Sequence, residues 1–296
     1  MIQSGNDGEG DVRGDPFSGR EFPFTYRDFS QIADIVQRDA GIALSDVKAP
    51  LVYSRLVRRL RALGVESFHQ YCTLVARNEE GEREEMIAAL TTNVTRFFRE
   101  NHHFEHFRNR VLPDLIPRAR KGARLRFWSA GCSSGEEPYS LALSILALLP
   151  EAASFDIRIL ATDINRNVLE AAKIGLYGVT ALAPVEPDVR DRFFIPSGQE
   201  GGTTMWRAGP ELRAMVAFRE LNLIADWPMH QRYQAIFCRN VAIYFESSIR
   251  AAFWDRFASL LAPNGVLYIG HSERITTSKH RFKAEGNTTY RLVQAG

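Results

Sequence analysis

The sequence predicts a mostly parallel α/β sheet with helices on both faces, preceded by a small all-helical domain. Two observations carry that expectation. From Leu125 onward, short runs of β-type residues alternate with stretches whose apolar residues recur at helical spacing. From Phe24 to about Leu90 the spacing is helical throughout.

In the helical part, four stripes predict four helices: Phe29, Ile32, Ile35 and Val36; Leu51, Leu56, Val57 and Leu60; Phe68, Tyr71 and Leu74; Met86, Ile87 and Leu90. Between Val47 and Gly64 the only charges are Lys48, Arg55, Arg58, Arg59 and Arg61. Arg55, Arg58 and Arg59 share one helix face, which reads either as an ordinary solvated surface or as a docking face for an acidic partner. Leu90 to Glu100, polar and aromatic at once, sits where the helical domain hands over to the sheet domain. His102, His103 and His106 follow, but nothing nearby completes a ligand set, so they are expected as surface histidines with no metal.

The chain is organised around Leu125 to Ser140. Leu125 to Ser129 reads as a strand, Gly131 and Gly135 bracket a loop, and Leu141, Ile145 and Leu148 continue as a helix from Pro138. Such a turn at the carboxyl end of a parallel strand lets a ligand approach the backbone. Glu136 and Glu137 at the helix start would repel a phosphate, so the expected ligand is cationic or polar. Asp156 to Asp163 reads as the second strand of a βαβ unit and ends in an acid suited to ribose hydroxyls. An adenosine with a positively charged tail satisfies both acids, and S-adenosylmethionine is that molecule.

Asn165 to Ile174 reads as a helix closed by Gly175 and Gly178. The alternation then breaks: Val179 to Glu211 is rich in proline and glycine with short extended candidates at Phe193 to Ile195 and Met205-Trp206, which predicts a small β insert, about 179–215. Strands are expected at Met215 to Asn222, Tyr233 to Cys238 and Val266 to Ile269, a helix at Ile249 to Leu261, and a last antiparallel strand at Thr288 to Val293. Asp163, Asn222, Arg239 and Asn240 all follow strand carboxyl ends and so converge on one crevice.

Composition sets the outer limits. A length of 296 residues allows two domains, and 45% hydrophobic content fills ordinary cores. No apolar run approaches the ~20 residues of a membrane span, and Met1 to Arg20 lacks the apolar centre of a signal peptide. A cytoplasmic, monomeric protein with a disordered tail over 1–22 is expected. The 3 cysteines, Cys72, Cys132 and Cys238, are unpatterned, which suits reduced thiols. A net charge of +2 with one short basic patch is thin for a nucleic-acid surface.

Together, these stretches resemble the chemotaxis receptor methyltransferases, the CheR family. The resemblance rests on Thr91-Thr-Asn-Val-Thr-Arg-Phe-Phe-Arg-Glu100, Trp128-Ser-Ala-Gly-Cys-Ser-Ser-Gly-Glu-Glu-Pro-Tyr-Ser140, Ala161-Thr-Asp-Ile-Asn165, Leu221-Asn-Leu223, Phe237-Cys-Arg-Asn-Val-Ala-Ile-Tyr-Phe245 and Gly265-Val-Leu-Tyr-Ile-Gly-His-Ser-Glu273. It implies a helical N-terminal domain at 23–92 that docks the receptor methylation region. A Rossmann-like class I methyltransferase domain with a small β-subdomain would follow at 93–296. The implied activity is transfer of a methyl group from S-adenosylmethionine to glutamate side chains of methyl-accepting chemotaxis receptors, leaving S-adenosylhomocysteine. Carried over by motif, Asn93, Thr95, Arg99, Gly131, Glu137, Asp163, Asn222, Leu223, Arg239 and Asn240 would contact the cofactor, and Arg99 and Tyr244 would flank the reacting carboxylate. Some members bind a receptor C-terminal peptide through the β-subdomain, but Val179 to Glu211 has no alignable motif for it.

A glutamate of pKa ~4.3 is already ionised at neutral pH, so its methylation needs no general base. Orientation and removal of water can supply ~7–11 kcal/mol. Two other classes remain open: a methyltransferase acting on RNA or a small molecule, and a non-enzymatic sensor of S-adenosylmethionine.

Overall fold

The computed structural model describes residues 19–78 and 81–293; the expected tail over 1–22 lies outside the described residues except for 19–22. The chain forms two compact units, one holding the described residues up to Gln37 with Leu44–Leu90, the other Arg38–Ala43 with the chain from Thr91 on.

The first unit is helical. Its elements are α1 (Tyr26–Ala40, whose last turn groups with the second unit), α2 (Ala49–Leu63), α3 (Phe68–Arg77) and α4 (Glu82–Leu90). The expected stripes are its core: Phe29, Ile32, Val36, Leu56, Leu60, Phe68, Tyr71 and Met86 are all buried. Leu51 is a correction, because it is 42% exposed and Val52 takes the buried position beside it. The ends follow local chemistry. Gly64 closes α2 in the left-handed region, and the Ser67 side chain caps α3 by accepting from Gln70 N at 3.2 Å.

The basic face of α2 has partners outside its own helix. Arg59 forms a fork with Glu82, donating from Nε to Oε1 at 3.0 Å and from Nη2 to Oε2, and Glu85 lies 3.6 Å away. Arg55 donates to the Leu90 carbonyl at 2.6 Å, which leaves Arg58 as the exposed member of the trio. The acids that balance this face come from α4, where spacing within α2 could not reveal them.

The second unit opens with α5 (His102–His106), a π-helical turn over Phe107–Val111, and α6 (Leu112–Arg120). There follow β1 (Leu125–Ala130), α7 (Glu136–Leu148), β2 (Ile157–Asp163) and α8 (Arg166–Ile174). The insert contains β3 (Leu176–Gly178), α9 (Pro187–Phe193), β4 (Phe194–Glu200), β5 (Thr203–Ala208) and α10 (Pro210–Met215). The main sheet resumes with β6 (Val216–Glu220), β7 (Tyr233–Cys238), α11 (Ser247–Leu260), β8 (Leu261–Ile269), β9 (Phe282–Ala284) and β10 (Thr289–Leu292).

The strand order is β6-β2-β1-β7-β8-β10-β9. β1, β2, β6, β7 and β8 pair in parallel, and β10 runs antiparallel to both β8 and β9. The chain winds outward from β1 to β6 on one side and from β7 to β8 on the other. The order therefore reverses between β1 and β7, where a crevice opens at the strand carboxyl ends. α7 is buried on nearly every face, because its apolar residues cover the whole helix rather than one stripe; its exposed residues are Ala147 and Leu148 at the end.

The insert forms a separate antiparallel sheet in the order β3-β5-β4. It begins earlier than the expected residue 179, since Gly175 (φ 63) ends α8 and the chain enters β3 one residue later. Like β9, β3 is three residues long, too short for an alternating pattern to declare itself.

Candidate active site

The loop after β1 turns sharply through three left-handed residues, Gly131 (φ 82), Ser133 (φ 49) and Gly135 (φ 97). A Cβ on Gly131 would run into Val241 Cγ2. Glycine is thus needed here for the close approach of the loop after β7.

Asp163, at the end of β2, clamps this loop. Its Oδ2 accepts from Ser133 N at 2.8 Å and its Oδ1 from Asn165 N at 3.0 Å. Burial pushes its carboxyl up from the ordinary range, and the backbone donors pull it back. An ionised carboxylate has about four acceptor sites, so both oxygens keep capacity for ribose hydroxyls.

Glu137 and Arg239 form a buried ion pair across the switch point. Glu137 Oε1 accepts from Ser129 Oγ at 2.7 Å and Oε2 from Arg239 Nη1 at 3.0 Å. The Arg239 side chain is 2% exposed; its Nη2 donates to the Arg99 carbonyl and lies 3.2 Å from Glu100 Oε2. Burial pushes Glu137 up and the guanidinium opposes it. Beside it, Glu136 is also pushed up by burial and accepts from Ser134 Oγ at 2.7 Å.

The segment from Asn93 to Glu100 is pinned to the same framework. The Asn93 carbonyl accepts from Ser133 Oγ at 2.9 Å, and Phe98 N donates to Ser140 Oγ at 3.0 Å. Asn93 Nδ2 and Asn165 Nδ2 both donate to Thr91 Oγ1. Thr95 and Arg99 are half-buried, and Arg99 Nη1 donates to the Val94 carbonyl at 2.7 Å.

After β7, Asn240 is left-handed (φ 59), and Tyr244 is half-buried on a short 3-10 turn. The Tyr244 carbonyl accepts from Ala43 N at 2.9 Å, while its hydroxyl has no partner among the described residues. After β6, Asn222 caps its own turn, accepting from Ile224 N, and donates to the Asp39 carbonyl at 2.6 Å. Leu223 is buried beside it, with its carbonyl accepting from Trp227 Nε1 and Arg256 Nη1.

Two residues lacked a sequence-derived role. Glu273, 4% exposed, accepts from four backbone N–H groups, those of Gly270, Asn240, Val241 and Ile243, and so fixes the loop that carries Arg239 to Tyr244. Its signal was its isolation, for it is the only acid between Asp255 and Glu285. Glu100 is the other: it sits at φ 55 with its carboxylate turned under Arg239. The expectation of surface histidines fails for His103, which is fully buried.

A switch point edged by Glu136, Glu137 and Asp163, with no lysine in the glycine loop, suits a cationic nucleoside and not a polyphosphate. The donor set fits S-adenosylmethionine, and the fold and site define a methyltransferase that uses it as cofactor. Residues 93–291 match the CheR methyltransferase SAM-binding domain, and residues 27–91 the CheR methyltransferase all-alpha domain. The chain is 47% identical to a probable chemotaxis protein methyltransferase of Rhizobium etli, over 88% of this chain and 98% of that one. It is 42% identical to chemotaxis protein methyltransferase 2 of Pseudomonas aeruginosa, covering 93% and 96%, and 40% identical to the chemotaxis protein methyltransferase of Escherichia coli, covering 89% and 90%. The chain belongs to the CheR methyltransferase family.

Proposed function

We propose that this enzyme methylates glutamate side chains of chemotaxis receptors in the cytoplasm. One observation supports it above the rest: Arg99 and Tyr244, on two loops tied together through Arg239, keep donors that no described residue uses. A carboxylate is an acceptor only, so these donors complement it. Arg99 stays protonated and cannot serve as a base; it holds one carboxylate oxygen while Tyr244 steadies the same end, and the other oxygen is left free.

In this reading Glu137 and Asp163 receive the cofactor's amino and ribose groups, with Asn93, Thr95, Asn222, Leu223, Arg239 and Asn240 completing its surround. When bound, the cofactor supplies an electrophilic methyl group. The protein's share is alignment and exclusion of water, worth up to ~7–11 kcal/mol. Docking of an acidic receptor helix falls to the helical unit, with Arg58 as the exposed cation of the trio and Arg55 and Arg59 as supports.

Incubation with methyl-labelled S-adenosylmethionine and membranes bearing chemoreceptors tests this. The expected product is label on receptor that base releases, as an ester requires, abolished in Arg99→Ala and reduced in Tyr244→Phe. Base-stable label, or label undiminished in Arg99→Ala, would refute the assignment.

A further inference from the structure

The turn into α5 holds a cluster that methyl transfer does not use. Glu100, His102 and His103 each offer one ligand atom, and the three atoms lie within 4.8 Å of one another. Glu100 Oε2, His102 Nε2 and His103 Nδ1 are all buried without a hydrogen-bond partner. Orphaned buried polar atoms are uncommon, and three in one turn call for a physical cause.

The tautomer of His103 sharpens the point. Its Nε2 lies 2.8 Å from the Asn287 carbonyl, which can only accept, so Nε2 carries the proton and Nδ1 presents a bare lone pair. That lone pair faces Glu100 Oε2 at 3.6 Å. A bare nitrogen lone pair and a carboxylate oxygen thus face each other in a buried place, each without a hydrogen-bond donor of its own.

We propose that Glu100, His102 and His103 bind one divalent transition-metal ion of the zinc class. Two imidazoles and a carboxylate form a known zinc donor set. On a tetrahedral ion with ligands at ~2.0–2.1 Å, neighbouring ligand atoms are about 3.4 Å apart, close to the separation found between Nδ1 and Oε2. The surroundings have the form of an outer shell: His103 Nε2 donates to a backbone carbonyl, and Glu100 Oε1 accepts from His271 N at 3.3 Å and Nδ1 at 2.9 Å. Arg239 is the opposing charge, 3.2 Å from Oε2. It is shared with Glu137, so its single positive charge leaves this pair of carboxylates with one negative charge uncompensated.

The test uses untagged, full-length protein stripped with a chelator and titrated calorimetrically with Zn2+ alone. One ion per chain is expected. His102→Ala, at a partly exposed position, and the shape-conserving Glu100→Gln should each weaken binding by at least the ~10–100-fold typical of an outer-shell loss, with unchanged circular dichroism. Co2+ should give the absorption bands of a tetrahedral site in the wild type and not in His102→Ala. Absence of Zn2+ binding by the wild type, or unchanged affinity in either variant, overturns the proposal.

Discussion

Replacing Glu273 by Gln isolates the work of one buried carboxylate. Oε2 accepts from Gly270 N at 2.5 Å and Asn240 N at 3.1 Å, and Oε1 from Val241 N at 3.0 Å and Ile243 N at 3.2 Å. The acceptors are paired, two donors to each oxygen, so whichever way the amide is turned its NH2 group faces two backbone N–H donors. Hydrogen bonds to a charged group are worth ~1.5–3 kcal/mol each, so two lost bonds amount to roughly 3–6 kcal/mol. That is a large part of a domain stability of ~5–15 kcal/mol. The loop cannot easily move aside, because a Cβ on Gly270 would already lie 2.7 Å from Asn240 N, which shows how closely the two segments meet. Urea denaturation and calorimetric titration with S-adenosylhomocysteine read the two ways the cost can appear. If the loop stays in place, stability falls; if it lets go, affinity falls, since Arg239 and Asn240 ride on it. Glu273→Gln with both stability and affinity of the wild type would refute the role given to this carboxylate.

Two further outcomes follow from the same framework. Gly131→Ala would force a Cβ into Val241 at φ 82; backbone strain of ~1–3 kcal/mol should lower Tm, by about 2–4 °C per kcal/mol, and an unchanged Tm would show that the loop has slack. Burial pushes Glu136, Glu137 and Asp163 all up from the ordinary carboxylate range, so each gives up its proton at higher pH than a free side chain does. These raised groups favour the folded protein at low pH and lose that contribution as pH rises through their folded values. A cationic ligand favours their ionised forms, so affinity for S-adenosylmethionine should fall as pH drops into that window, with proton release on binding. Calorimetry in buffers of different ionisation enthalpy measures both, and an affinity that stays constant as pH falls through that window would contradict it.

The central sheet was legible because buried parallel strands read as continuous apolar runs, and the runs at Leu125, Ile157 and Tyr233 stand between clear helical stripes. The acids at strand ends were legible for the same reason, since strand direction puts them at one rim. What stayed hidden is pairing between distant residues. Nothing in the spacing of α2 shows that Glu82 and Glu85 cover Arg59, and nothing near His102 and His103 shows that the preceding glutamate is turned inward at φ 55. The packing of Gly131 against Val241 was hidden too, because a glycine records that something comes close without recording what.

Buried charges tie the site's loops together. Arg239 joins Glu137 on the first helix of the sheet, the carbonyl of Arg99 and the carboxylate of Glu100. A positive charge arriving beside Glu137 competes with Arg239 for the same oxygens and weakens its hold there. The guanidinium is then drawn more strongly to Glu100 and the Arg99 carbonyl, the groups that remain to it. In the proposed mechanism Arg99 grips the substrate, so cofactor binding and the placement of the substrate-holding arginine act through one side chain. The physical requirement for such coupling is burial: with Arg239 2% exposed, water cannot screen the exchange of partners.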